Sequence, residues 1–253
     1  VGFKPSYERV SRAGVLPVSA SLDHVGFFTS NVKSTILAAS VMIPDWNSRT
    51  TVHRPVLGVP DGPYMERVSS GGRQNFELSC ERLSASGYDI VRLDVMQDFD
   101  EIFGRHQLIM AFEAAQVHSD WYDRYEPLYR EQTKDLIHRG MNYSEQDLSS
   151  ALPGREKLRR ELTVAMDDAG VDLWIAPAAT GTAPRGLEST GDAVMNLPWT
   201  HCGLPALNLP SGKDESGLPY GLQLIGKWHE DEVTLAWATE IEKLLGFDAN
   251  QVY

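Results

Sequence analysis

The segment ALNLPSGKDESGLPYGLQLI, residues 206–225, decides the fold class predicted for this chain. Residues 206–209 and 220–225 have the short apolar pattern of strands, and the polar segment 211–217 lies between them. Two strand patterns joined by a polar, glycine-containing turn predict a hairpin. The sheet is therefore expected to contain at least one antiparallel pair.

A second unit, residues 51–95, has the order strand, helix, strand. Residues 63–86 show apolar positions at helical spacing and are followed by Gly87, a residue type that often ends helices. Residues 88–95 alternate as a strand does. A β–α–β unit implies two parallel strands joined by a crossover helix. With the hairpin, this unit predicts an α/β protein with a mixed sheet.

The remaining elements follow from apolar periodicity and from glycine and proline positions. Further helices are predicted over residues 30–42, over 231–245, and over a block 99–169 that is interrupted near Pro127, Gly140 and Pro153. Residues 171–176 form a continuous apolar run, which is typical of a fully buried strand. Residues 177–192 are rich in small residues and prolines and are predicted to form a loop.

Composition excludes several classes of function. The formal net charge of -12 does not favour a nucleic-acid surface. No apolar run approaches the roughly 18 to 20 residues that span a membrane, so no membrane partner is expected. The two cysteines, Cys80 and Cys202, are too few for a disulfide scaffold and favour a reducing, cytoplasmic location.

Three local features carry reactive residue types, but each is predicted to be structural. His201 and Cys202 are neighbours on a segment predicted to be extended, where their side chains point to opposite faces and form no dyad. A buried thiol is the preferred interpretation. The other two features are Glu113 with His118, five positions apart, and the carboxylates Asp167, Asp168 and Asp172 around a helix end.

Two loops are better candidates for a binding site. The loop 177–184 directly follows a predicted buried strand, and loops at strand ends form the ligand crevice of open α/β sheets. The segment 196–205 carries Trp199 between two prolines, and an aromatic ring on a rigid loop is suited to the wall of an apolar pocket. A packed loop with Trp199 in the core is an equally weighted alternative.

The chain resembles the amidase signature family in motifs at both ends, which occur in the family's order. These motifs are Gly2-Phe-Lys-Pro-Ser-Tyr, Arg9-Val-Ser11, Ser21-Leu-Asp-His-Val-Gly26, Asp172-Leu-Trp-Ile-Ala-Pro177, Gly203-Leu-Pro-Ala206, Pro210-Ser-Gly212 and Gly217-Leu-Pro-Tyr-Gly-Leu-Gln-Leu-Ile-Gly226. The middle of the chain matches only in layout. The resemblance implies a three-layer α/β/α fold and the hydrolysis of carboxylic amides, with no cofactor and no metal.

The resemblance also implies a Ser–cis-Ser–Lys triad, in which a neutral Lys acts through the bridging Ser and the second Ser attacks the amide carbon. In the family these residues precede the Gly-x-Lys-Pro motif, which here is residues 2–5. All three are therefore expected to lie before Val1, and no catalytic residue is assigned within this chain. Residues 1–253 are interpreted as one partial amidase domain without its N-terminal part.

Three functional hypotheses follow. The first is the C-terminal portion of a serine amidohydrolase, with a small-molecule amide as substrate and a homodimer as an open option. Its predicted substrate-binding residues are Pro177, Thr180, Trp199, Thr200 and Cys202. The second is a non-catalytic binding or partner module. The third is the transamidase component of a tRNA-dependent amidotransferase, which ranks below a free-standing amidase because the expected basic helices are absent from the sequence.

The partial domain also leads to an expectation about the sheet. A portion of a large sheet is expected to leave a central strand unpaired, and the run 173–176 is too apolar for an edge. Residues 1–253 alone are therefore expected to be poorly soluble and inactive on simple amides.

Overall fold

The computed structural model describes residues 1–51 and 53–246, and the strands of these residues form one seven-stranded mixed sheet. In chain order they are β1 (Gly2–Lys4), β2 (Phe27–Phe28), β3 (Leu57–Asp61), β4 (Ile90–Asp94), β5 (Leu173–Pro177), β6 (Ala206–Lys213) and β7 (Pro219–Ile225). The order across the sheet is β2-β1-β6-β7-β5-β3-β4. Strand β3 is parallel to β4 and β5, and the other neighbouring pairs are antiparallel. The predicted mixed α/β sheet is confirmed.

The helices are α1 (Val32–Met42), α2 (Ser70–Ala85), α3 (Phe99–Tyr125), α4 (Glu131–Met141), α5 (Glu145–Ala151), α6 (Pro153–Ala169), α7 (Leu197–His201) and α8 (Asp231–Leu245). Helix α5 begins with a capping box between Ser144 and Asp147, and α6 ends at Gly170 in the left-handed region with φ 65°. No helix in the described ranges has the length and apolar character needed to span a bilayer.

Both supersecondary predictions agree with the structure. Strands β6 and β7 form the hairpin, with Ala206 opposite Ile225. Strands β3 and β4 are parallel and are connected through α2. Helix α2 begins later than its pattern predicts, because a short 3-10 turn at Met65–Arg67 precedes it and the side chain of Ser69 caps its first turn by accepting from the Gly72 amide.

The expectation of an unpaired central strand is wrong. Strand β5 lies inside the sheet, parallel to β3 and antiparallel to β7, and all five of its residues are buried. The edges of the sheet within the described residues are β2 and β4. The apolar run 173–176 is therefore covered on both sides, and the argument for poor solubility that rested on it does not hold.

Two further features carry no clear signal in the sequence. Strand β1 pairs with both β2 and β6, so the N-terminal motif is itself part of the sheet. Helix α7 occupies a segment that the sequence pattern predicts to be loop, and its Trp199 is fully buried. These elements together surround the candidate site.

Candidate binding cavity

One face of the sheet carries a group of polar side chains where β1, β6 and β7 lie side by side. Gly2 is opposite Asn208, and Asn208 is in turn opposite Gln223. Since side chains alternate between faces along a strand, Lys4 and Ala206, which are also opposite each other, lie on this same face. The antiparallel part of the sheet therefore has a polar surface, which we call the floor.

Helix α7 lies above this floor and helps to enclose a cavity of about 320 Å³. Its polar and aromatic lining residues are Lys4, Phe27, Phe28, Asn196, Trp199, Thr200, Asn208 and Gln223. The Phe28 ring lies against Gly2, where a Cβ would be 3.0 Å from the ring, so only glycine leaves the ring this position. The volume is in the lower range of small-molecule sites.

Gln223 connects the floor to the segments on either side of the cavity. Its Nε2 donates to the main-chain oxygen of Pro177 at 2.8 Å and to that of Met195 at 3.0 Å. Both amide hydrogens are thereby used, and Oε1 remains as an acceptor. Asn196 reinforces this connection through a 3.1 Å hydrogen bond from Nδ2 to the oxygen of Ala178.

The aromatic wall of the cavity is fixed from behind. Trp199 Nε1 donates to the hydroxyl of Tyr64 at 3.2 Å, and that hydroxyl donates to the oxygen of Met195 at 2.9 Å. The two rings meet edge to face with centroids 5.6 Å apart. Burial raises the pKa of Tyr64, so its hydroxyl keeps the proton that it donates. The position of Trp199 is therefore held by packing and by hydrogen bonds.

Lys4 is the one charged residue among the described residues that line the cavity. Its ammonium donates to the main-chain oxygen of Leu204 at 2.5 Å and to that of Pro5 at 3.3 Å. Burial lowers the pKa of Lys4 to about 8, and the charges of Cys202 and Asp231 partly oppose this shift. The ammonium thus holds β1 to the turn that follows α7.

The structure brings two of the five predicted site residues, Trp199 and Thr200, to the cavity wall. Pro177 and Cys202 are buried outside this lining. The Cys202 Sγ lies 3.7 Å from the oxygen of Trp199, and burial raises the pKa of this thiol to about 11. Thr180 lies elsewhere, because its main-chain oxygen accepts from Ser69 at the start of α2. A binding role for these residues remains a prediction.

The reactive pairs noted in the sequence do not form. His201 is helical and Cys202 caps α7, so the expected extended segment is wrong, and the Cys202 thiol donates to the oxygen of Trp199 rather than to His201. Glu113 accepts from the hydroxyls of Ser19 and Ser21 rather than from His118. His118 instead bonds to Tyr129. The described residues contain no group of three or more histidine, cysteine, aspartate or glutamate side chains arranged for a metal ion.

The sequence analysis missed the floor residues Lys4, Asn208 and Gln223 as well as the Phe28 wall. A partial signal existed. Once the hairpin is in register, Asn208 and Gln223 are opposite each other as polar interruptions of two otherwise apolar strands. The part played by Lys4 and Phe28 depends on the pairing of β1 with distant strands, which has no local signal.

These features define an α/β protein whose mixed sheet carries a small cavity lined by carboxamide and aromatic side chains. The family model described as Amidase matches residues 1–235 of the chain. The chain belongs to the amidase family, as its terminal motifs indicate.

Similar proteins agree with this assignment. The A subunit of glutamyl-tRNA(Gln) amidotransferase from a Synechococcus species is 29% identical over 280 residues, which cover 92% of this chain and 57% of that protein. A solved amidase structure has 30% identity and a TM-score of 0.87, covering 97% of this chain and 58% of that one. Fatty acid amide hydrolase, at 19% identity and a TM-score of 0.81, shares the fold, with coverage of 100% and 53%. The chain thus spans less than two thirds of the length of each.

Proposed function

We propose that this chain takes part in the hydrolysis of a carboxylic amide to an acid and ammonia or an amine, and that the amide binds in the cavity. The match of the amidase family model to residues 1–235 carries this proposal. The cavity supports it, because among the described residues its lining is uncharged except for Lys4, whose ammonium is bonded to main-chain oxygens. A neutral amide suits such a lining better than a charged ligand does.

In the proposed reaction, a serine attacks the amide carbon, a second serine passes its proton to a neutral lysine, and the amine leaves from an acyl-enzyme that water then hydrolyses. The resemblance to the family supplies this mechanism. Thr200 lines the cavity, but no serine among the described residues does. We therefore assign the triad to none of the residues 1–253, and we give this chain the binding and orientation of the amide.

Ammonia release from benzamide tests this proposal. Purified residues 1–253 are expected to release none. Hydrolysis by this chain that disappears when one of its serines is replaced by alanine would overturn the assignment of the nucleophile. The coding sequence before Val1 provides the second arm. A Gly/Ser-rich stretch there, with a lysine well before it, and hydrolysis by the longer product support an amidase, whereas a start codon directly before Val1 supports a non-catalytic module.

A second candidate is the transamidase component of a tRNA-dependent amidotransferase, because a curated relative at 29% identity has that name. The cavity does not favour glutamine as the amide donor, since no arginine among the described residues lines it to bind the α-carboxylate. Faster release of ammonia from glutamine than from benzamide by the longer product would favour this candidate. The homodimer and the cytoplasmic location remain predictions.

A further inference from the structure

Asn208 has an unusual arrangement on the cavity floor. Its Oδ1 is buried and has no hydrogen-bond partner. This oxygen occupies the space above Gly221, where a Cβ would approach it to 2.2 Å. The oxygen is therefore turned away from the ligand space, and Nδ2 is the polar atom that Asn208 can offer to the cavity that it lines. Buried polar atoms without partners are rare in native structures and call for an explanation.

Gln223 is oriented the opposite way. Its Nε2 is held by the oxygens of Pro177 and Met195, so Oε1 is the atom left for a ligand. Asn208 and Gln223 are directly opposite each other on antiparallel strands, which places their Cβ atoms about 4.5–5.5 Å apart. The floor therefore carries one donor and one acceptor side by side, and both are fixed by the protein.

We propose that Asn208 and Gln223 form a donor–acceptor pair that binds a carboxamide group, with the ligand oxygen at Asn208 Nδ2 and the ligand N–H at Gln223 Oε1. This inference rests on the proposed function, because it concerns the same cavity. It goes further by assigning two specificity-determining residues. A carboxamide has one acceptor and one donor on a single carbon, which matches the pair.

Two ligands of nearly the same shape do not match. A carboxylate has no N–H and places a negative oxygen against Gln223 Oε1. An amidinium has N–H groups on both sides and places one of them against Asn208 Nδ2. Unpaired or opposed polar groups in a partly buried site weaken binding strongly. The pair is thus expected to release the acid product of amide cleavage while it retains the amide.

Calorimetric titration of the purified chain with benzamide, benzoate and benzamidine tests the pair. Benzamide is expected to bind at least about tenfold more tightly than either of the others. Asn208→Asp replaces the donor by an acceptor and is expected to reverse the order, so that benzamidine binds more tightly than benzamide. The matched control is Asn75→Asp, which adds the same charge at a residue bonded to Ser211 outside the cavity. This control is expected to keep the wild-type order.

Thermal unfolding confirms that each variant is folded. If Asn208→Asp does not fold, Asn208→Ala replaces it, with benzamide affinity expected to fall about fivefold through the loss of one hydrogen bond. Equal affinity for the three ligands, no binding of benzamide, or no change of order in Asn208→Asp overturns the inference. Ammonia measured in the same samples and in the longer product separates the two proposals. Selective binding without turnover by either protein contradicts only the amidase function, and turnover without selectivity contradicts only the donor–acceptor pair.

Discussion

The ammonium Nζ of Lys4 lies 2.5 Å from the main-chain oxygen of Leu204, 200 positions further along the chain. The same ammonium donates to the oxygen of Pro5. A single buried cation therefore joins β1, in the N-terminal motif, to the turn between α7 and β6. Because Lys4 also lines the cavity, its bonds fix the distance between the floor and the helix above it.

The pH dependence of stability is expected to report this buried cation. Burial lowers the pKa of Lys4 from 10.5 to about 8 in the folded chain. Between these pH values the unfolded chain binds a proton that the folded chain does not, so the free energy of unfolding rises with pH. Urea denaturation is expected to show this rise in the wild type relative to Lys4→Met, by about 1.4 kcal/mol for each unit of lowered pKa.

The control for this measurement is Lys243→Met, because Lys243 is exposed and pairs with Glu240 in its own helix. The difference between the wild type and this variant is expected to stay constant over the same window. A constant difference for Lys4→Met as well would show that Lys4 is not held in a poorly solvated site.

The sequence predicted the elements whose patterns are local. The hairpin, the β–α–β unit and helix α8 each carry an apolar period and a turn residue at the end, and each is present. Strands β1 and β2 contain three and two residues, too few for a period, and their status depends on pairing with each other and with β6. Five-residue α7 is equally short, and it is held in place by Trp199 and Asn196.

The same distinction applies to the cavity. Trp199 and Thr200 were predicted because a tryptophan between prolines stands out in the sequence. Asn208 and Gln223 did not stand out, because a polar residue within a strand has no meaning until its face and its neighbours are known. The sequence also placed β5 at an expected gap in the sheet, whereas long-range pairing puts it in the interior.

The buried pair His106 and His201 is expected to make the fold sensitive to acid. The two rings lie 5.6 Å apart, and Arg155 donates to the main-chain oxygen of His201. Burial, followed by the charge of Arg155, lowers the pKa of His106 to about 4. Burial, followed by the charges of His106, Arg155 and Arg105, lowers the pKa of His201 to about 3.

As the pH falls below 6.5, the unfolded chain takes up protons that these folded histidines do not accept, so the free energy of unfolding decreases down to about pH 4. His106→Phe removes one of the two titrating rings at similar volume. Its thermal midpoint is expected to fall less steeply between about pH 6.5 and about pH 4 than that of the wild type. Parallel curves for the two proteins would contradict this prediction.

Asp231 at the start of α8 is expected to be among the most sensitive positions of the fold. It is fully buried and accepts from the amide of Ser6 at 2.8 Å and from its hydroxyl at 2.7 Å. Arg9 lies 3.6 Å away. Asp231→Ala leaves these groups unpaired and is expected to reduce the free energy of unfolding by about 3–5 kcal/mol.

The neighbouring Glu232→Ala is the comparison for Asp231→Ala. Glu232 pairs with the same Arg9 at 2.7 Å, but its side chain retains some exposure, and Asp231 remains beside the arginine. A loss of about 1 kcal/mol is expected, since a partly solvated ion pair contributes little. Urea denaturation measures both variants, and losses of equal size would contradict the assignment of the larger effect to the buried carboxylate.

Two helical glycines offer a test of packing in which the chemical change is the same. Gly140 lies where α4 crosses α3, and an added Cβ would come within 1.9 Å of the main-chain oxygen of Ala111. A backbone atom cannot move aside without shifting the helix, so Gly140→Ala is expected to destabilise the fold by about 2 kcal/mol or more. Gly104, exposed on α3, has no atom within 4 Å of an added Cβ. There the higher helix propensity of alanine acts alone, and Gly104→Ala is expected to stabilise by about 0.5–1 kcal/mol. Urea denaturation distinguishes the two, and shifts of the same sign would show that α3 and α4 are not in this close contact.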